Sequence, residues 1–175
     1  PFVRPFCEEA LRQRRKLVYF HFERHEELIP PDPRIETYHQ DPAAGFETLT
    51  AEIHRVIARA GRGAFYVFDC LSDLAADWYS DMMLGNFFKV TCPYLRELDT
   101  IAYFALLRRR HSYRAVASIR DTTQLLLDVH RHDGNLYVHP LKVFERYSPT
   151  MYLPHVWEGE CFRPVTASAT ISGRY

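Results

Sequence analysis

The sequence predicts an α/β protein with a mostly parallel sheet, helices on both faces and an antiparallel hairpin toward the carboxyl end. Apolar runs without polar alternation, typical of strands buried on both faces, occur at Leu17–Phe22, Gly63–Asp69 and Thr100–Leu107. Between the first two lies Phe46–Ala60, which has an apolar face at helical spacing. Strands that alternate with helices are the pattern of a parallel sheet covered on both sides.

The other predicted elements follow from capping, turn and periodicity signals. The further helices span Pro5–Lys16, Leu74–Leu98 and Tyr113–Arg120, and the further strands are Ile35–Tyr38, Gln124–Val129 and Leu136–Phe144. We expect Ile35–Tyr38 to be an edge strand, and the long helix allows a break near Gly85 or Pro93. The turn Asp133-Gly134-Asn135 joins the last two strands into the hairpin.

Composition limits the class of protein. The 175 residues, 47% of them hydrophobic, are enough for one domain, which we place at 1–157, with 158–175 as a linker or extension. The net charge is zero, so nucleic acid is not favoured as a partner, and no apolar run is long enough to span a membrane. The four cysteines are scattered without a C-x-x-C spacing, which favours a reduced, cytoplasmic protein.

Asp69 is the first candidate for a functional residue. It ends the most apolar strand, and ligands of open α/β sheets bind at the carboxyl ends of the strands. A carboxylate in this position can also simply cap the turn that follows.

Histidines suggest a second kind of site. His21 and His25 flank Glu23, and His130 and His132 would face the same side of one strand. Neither pair has a third ligand placed by spacing, so a metal site built from histidines is not favoured. A serine hydrolase is not favoured either, because the sequence has no G-x-S-x-G motif.

Several segments together resemble the RecA/KaiC-like P-loop ATPase domain. Leu17–Phe22 followed by Glu23 resembles the family's second strand with its acidic residue. The strand that ends at Asp69, with Cys70-Leu71-Ser72-Asp73-Leu74 after it, resembles the Walker B strand and its continuation. Thr100–Leu107 resembles the strand that lies between the Walker B strand and the P-loop strand. The resemblance therefore implies a three-layer RecA-like fold.

The resemblance also implies roles for individual residues. Asp69 would hold a Mg²⁺-bound water, and Glu23 would orient or deprotonate the water that attacks ATP. Lys142 or Arg146, in the closing hairpin, would reach the nucleotide of a neighbouring subunit, which implies a homo-oligomer. His111 would lie near the γ-phosphate.

The sequence departs from the family at two points. It contains no G-x-x-x-x-G-K-[ST] loop, so ATP and Mg²⁺ are expected only if that loop is supplied from elsewhere. Arg24 stands where the family more often has a second acid. Because the chain begins Pro-Phe-Val without a methionine, we expect it to be a fragment of a larger protein.

A second interpretation is a catalytically silent module. The segment Ser148–Trp157 resembles part of the N-terminal module of phosphoenolpyruvate synthase-like proteins. In that case the chain would serve regulation or assembly of a phosphotransferase, and its partners would be downstream domains of the same polypeptide.

Overall fold

The structure is a computed structural model that describes residues 2–22, 25–78, 80–158 and 161–166. The chain divides into two compact units, Pro1–Thr122 and Thr123–Tyr175. The first unit contains a parallel sheet and helices, and the second contains an antiparallel sheet. The α/β class with a mostly parallel sheet is therefore confirmed.

The bounds of the elements are as follows. The helices are α1 Val3–Arg12, α2 Phe46–Ala60, α3 Leu74–Asp77, α4 Asp81–Glu97 and α5 Tyr113–Thr122. The strands of the first unit are β1 Leu17–His21, β2 Ile35–His39, β3 Phe65–Asp69 and β4 Ile101–Phe104. The second unit has β5 Leu125–His132, β6 Asn135–Val143, β7 His155–Glu158 and β8 Cys161–Pro164.

The first sheet has the order β2-β1-β3-β4, and all its described pairs are parallel. From β1 the chain passes to β2 on one side and then to β3 on the other, so the direction of winding reverses at β1. The register places His21, the last residue of β1, opposite Asp69, the last residue of β3. A reversal of this kind leaves a crevice at the carboxyl ends of the strands.

Side chains of the central strands alternate between two apolar clusters. Phe20 and Phe68 belong to the larger cluster, which also contains residues of α2 and α4. Tyr19 and Val67 belong to the smaller cluster, together with residues of α1. Because the period of a strand is two residues, His21 and Asp69 lie on the same face as Tyr19 and Val67. The paired strand ends therefore share the face that α1 covers.

Two sequence expectations for this unit differ from the structure in detail. The break that the sequence allows near Gly85 or Pro93 does not occur there, since both residues lie within α4, whose apolar side is buried in the larger cluster. The interruption comes between α3 and α4, where Ser80 caps the new helix by accepting a hydrogen bond from the Met82 amide. The strand at Thr100–Leu107 is shortened to β4 and is not fully buried, since Ile101 is 52% exposed at the edge of the sheet.

The second unit extends the predicted hairpin. Strands β5 and β6 form the hairpin, and β7 and β8 add to it in the order β5-β6-β7-β8. The range 158–175, expected to be a linker or extension, contains β8, while residues 167–175 lie outside the described part. None of the helices in the described residues combines the length and apolarity that crossing a membrane requires.

Gly85 gives a test of the helix packing. A Cβ at this position would lie 3.1 Å from Ser118 Cβ, on α5. We expect Gly85→Leu to lower the free energy of unfolding by about 1–3 kcal/mol, because it overpacks this contact. Lys89→Leu, on an exposed position of the same helix, serves as the control. Equal urea-unfolding midpoints for the two variants would contradict the close packing of α4 against α5.

Candidate functional site

The carboxylate of Asp69 is the centre of the candidate site. Asp69 is fully buried, at the carboxyl end of β3 and beside the end of β1. The chain turns sharply after it, because Cys70 has the left-handed backbone angle φ of 46°. A buried carboxylate is costly unless neighbouring groups compensate its charge. The residues around Asp69 therefore show how this strand end is used.

Tyr19 holds one side of the carboxylate. Its hydroxyl donates a hydrogen bond to Asp69 Oδ2 and accepts one from the Leu28 amide at 3.0 Å. Burial, and secondly the hydrogen bond to Asp69, raise the pKa of Tyr19 far above its ordinary value. The phenol therefore remains protonated at any physiological pH and acts as a fixed donor to the carboxylate.

Two histidines contact the same carboxylate. His21 Nδ1 lies 3.4 Å from Asp69 Oδ2, and His25 Nε2 lies 3.1 Å from Asp69 Oδ1. Their rings stack in nearly parallel planes with centroids 5.3 Å apart. The His21 side chain is buried, whereas that of His25 is 28% exposed, so the group reaches solvent at His25.

Hydrogen bonding in this group is incomplete. Neither ring nitrogen of His25 makes a hydrogen bond to another described residue, and Asp69 Oδ1 makes none either, although these atoms are buried. The short distance between His25 Nε2 and Asp69 Oδ1 is thus not accompanied by hydrogen-bond geometry. Buried polar atoms without partners call for an explanation, such as a bound ion or water.

Cys70 and Asp73 also lie close to His25. One ligand atom from each of these three residues falls within 4.8 Å of the others. Burial, and then the charge of Asp73, raise the pKa of the Cys70 thiol to about 11. The thiol is therefore protonated at neutral pH, which makes it a poor nucleophile and a poor ligand in this state.

A second polar contact joins the turns that follow β3 and β4. Ser72 Oγ accepts a hydrogen bond from the Leu107 amide at 2.7 Å and lies 2.7 Å from His111 Nε2. The serine hydroxyl and the imidazole share one hydrogen bond, whose direction depends on the tautomer of His111. Burial lowers the pKa of His111, against a smaller opposing effect of Asp81.

The predicted site residues are only partly brought together. Asp69 and His111 both lie in the first unit, and His111 contacts the turn three residues after Asp69. Glu23 lies outside the described residues. Lys142 is in β6 and Arg146 is exposed after it, both in the second unit.

Tyr19 and the roles of the histidines were missed by sequence reasoning. Tyr19 looked like a core aromatic, and it is one, with its hydroxyl directed at Asp69. His21 and His25 were recognised as a pair without a third ligand. The structure places a third polar group, Asp69, beside them, because the parallel pairing of β1 and β3 brings it next to His21. The sequence signal that could have indicated this group is the polar residue that ends each of the two apolar strands, His21 in β1 and Asp69 in β3.

The surroundings of Asp69 do not fit Mg²⁺ or a nucleotide phosphate. Mg²⁺ takes oxygen ligands and retains waters, whereas the groups beside this carboxylate are two imidazoles and a phenol. The 175 residues also contain no Gly-rich loop that could surround phosphates with backbone amides. Mg²⁺ at Asp69 would therefore lack the set of oxygen ligands that it prefers.

The hydrogen bond of Tyr19 can be tested by a matched pair of variants. We expect Tyr19→Phe to lower the free energy of unfolding by about 1–3 kcal/mol, because the buried carboxylate and the Leu28 amide each lose a partner. Tyr113→Phe, at a position 82% exposed, should change it by less than about 0.5 kcal/mol. Urea unfolding at neutral pH measures both, and a Tyr19→Phe variant as stable as Tyr113→Phe would contradict the arrangement.

The neutral state of His111 predicts a pH dependence. Its pKa is lowered in the folded state, so the unfolded state binds the proton more readily, and this contribution to stability falls as pH drops below the ordinary value of 6.5. We expect the free energy of unfolding of His111→Gln to fall less steeply between about pH 7 and pH 5 than that of the parent chain. The exposed His132→Gln should keep the parent slope, and an unchanged slope for His111→Gln would show that His111 is not held neutral.

A scan against protein-family models and a search of curated proteins both found no match to this chain.

Proposed function

We propose that the first unit is a nucleotide-binding domain of the ATPase type, related to the RecA/KaiC-like domains and active as a homo-oligomer. The observation that carries the proposal is the position of Asp69. This carboxylate ends a buried parallel strand, β3, which pairs with β1, the strand at which the winding of the sheet reverses. Nucleotides bind to doubly wound sheets at such points.

The order of the strands adds support. In the family, the Walker B strand has the strand with the catalytic acid on one side and an additional strand on the other. Here β3 has β1 on one side and β4 on the other, all parallel. β4 ends the described sheet, on the side where the P-loop strand of the family would pair.

The proposal requires a phosphate-binding loop from outside these 175 residues. Backbone amides of such a loop, and its lysine, would bind the phosphates. The chain's own contribution is the sheet, the strand-end carboxylate and the cationic Lys142 and Arg146 of the second unit. Because the present neighbours of Asp69 do not suit Mg²⁺, a bound nucleotide would require a rearrangement of Tyr19 and His25.

Nucleotide binding is the direct test. A fluorescent ATP analogue with Mg²⁺ is titrated into this chain and into a version that also carries any residues encoded before Pro1. We expect saturable binding only by the longer version, and an affinity lowered at least about tenfold, or about 1.4 kcal/mol, by Asp69→Asn. Asp121→Asn, an exposed acid on α5, is the control.

Two results would count against the proposal. Absence of binding by the longer version would exclude a nucleotide site, and equal affinities of the two Asp→Asn variants would remove Asp69 from it. Circular dichroism of each variant shows whether it is folded before its affinity is interpreted.

A second candidate function is supported by the closed surroundings of Asp69. A carboxylate with no exposed surface, held by a tyrosine and two histidines, is suited to structure rather than to phosphoryl transfer. The chain would then be a catalytically silent regulatory or assembly module of a phosphoenolpyruvate synthase-like phosphotransferase. In that case neither version of the chain binds the ATP analogue.

A further inference from the structure

Three potential metal ligands converge at the ends of β1 and β3. His21, His25 and Asp69 each place one ligand atom within 4.8 Å of the other two. Two of the three lie on paired strands, where the register fixes their separation. The third, His25, follows β1 after a short connection and stacks on His21.

The distance between His25 and Asp69 is that of neighbouring ligands around a small cation. With zinc–nitrogen and zinc–oxygen bonds near 2.0–2.2 Å, neighbouring ligand atoms of a tetrahedral site are about 3.3 Å apart. His25 Nε2 and Asp69 Oδ1 are 3.1 Å apart, and neither makes a hydrogen bond to another described residue. Both atoms are buried, so without a shared cation or proton they would lack compensation.

The surroundings orient the carboxylate in the way that outer residues of metal sites do. Tyr19 donates to Asp69 Oδ2 and is itself fixed by the Leu28 amide, which leaves Oδ1 directed to His25. Outer hydrogen bonds of this kind set the orientation of metal ligands and strengthen binding. The site would therefore require little rearrangement of Asp69 or His21, which belong to the sheet.

We propose that His21, His25 and Asp69 bind one divalent transition-metal ion of the Zn²⁺ class, with a fourth position open to solvent beside His25. Two imidazoles and one carboxylate suit Zn²⁺, and the nitrogen ligands disfavour Mg²⁺ and Ca²⁺. The inference does not depend on nucleotide binding, because it requires only residues of this chain.

A second possible metal site, formed by a neighbouring set of ligands, competes with the proposed one. Cys70 and Asp73 also lie within reach of His25, so the histidine could serve either set but not both fully. A site with Cys70 contains a sulfur ligand, whereas the proposed site contains only nitrogen and oxygen. Spectroscopy can tell these two sites apart.

Cobalt titration of the metal-free chain tests the proposal. Co²⁺ substitutes for Zn²⁺ and reports coordination by its visible absorption. We expect one equivalent of Co²⁺ to give the intense bands of a tetrahedral site without a near-ultraviolet band from thiolate to cobalt. Zn²⁺ should displace the Co²⁺, and a thousandfold excess of Mg²⁺ should not.

Variants locate the site. His25→Ala and Asp69→Asn should each lower the affinity for Co²⁺ at least about tenfold, whereas His132→Ala, an exposed histidine of the second unit, should leave it unchanged. His25→Ala is the decisive variant, because His25 is partly exposed and its ring nitrogens make no hydrogen bonds to described residues, so its removal should preserve the fold. Circular dichroism checks this.

Several results would overturn the proposal. These are the absence of tetrahedral Co²⁺ bands, bands that survive His25→Ala at full affinity, and displacement of Co²⁺ by Mg²⁺ at equal concentration. A thiolate band that disappears in Cys70→Ser would assign the ion to the Cys70 set instead.

Discussion

The structure of the first unit depends on how one buried negative charge is compensated. Asp69 is completely removed from solvent at the end of the central strand β3. A carboxylate in such a place is unstable without donors or positive charge nearby. The tyrosine donor on one oxygen provides part of that compensation, and a histidine lies beside each oxygen; all three residues come from β1 or the residues after it. The pairing of β1 with β3 is therefore an electrostatic requirement as well as an apolar one.

Both proposed functions, nucleotide binding and metal binding, depend on this buried carboxylate at the end of β3. A nucleotide domain needs a carboxylate at the reversal point of the sheet, and a metal site needs the same carboxylate beside two imidazoles. The apolar faces of β1 and β3 set the positions of both groups, because their aromatic side chains are packed between the helices. At this edge of the sheet His21 and Asp69 are thus positioned by the core, whereas His25 is supplied by the segment after β1.

Much of the fold could be predicted from the sequence, because local patterns of apolar residues determine most of its helices and strands. The bounds of α2 agree with the apolar spacing of Phe46–Ala60, and β1 and β3 agree with continuous apolar runs. Local rules allow a break at Pro93, but the helix continues through it with one side of α4 buried. The candidate site could be predicted only in part, because its residues come from separate segments of the chain. His21 and Asp69 are distant in the sequence, and only the parallel register brings them together.

The exposed strand β4 has a consequence for the behaviour of the protein in solution. It is the last strand of the described parallel sheet, and the backbone groups on its outer side form no strand pairing there. With Ile101 half exposed beside them, these groups are a template onto which a further extended segment can be added. Concentrated samples should accordingly be prone to edge-to-edge aggregation unless another segment covers this strand.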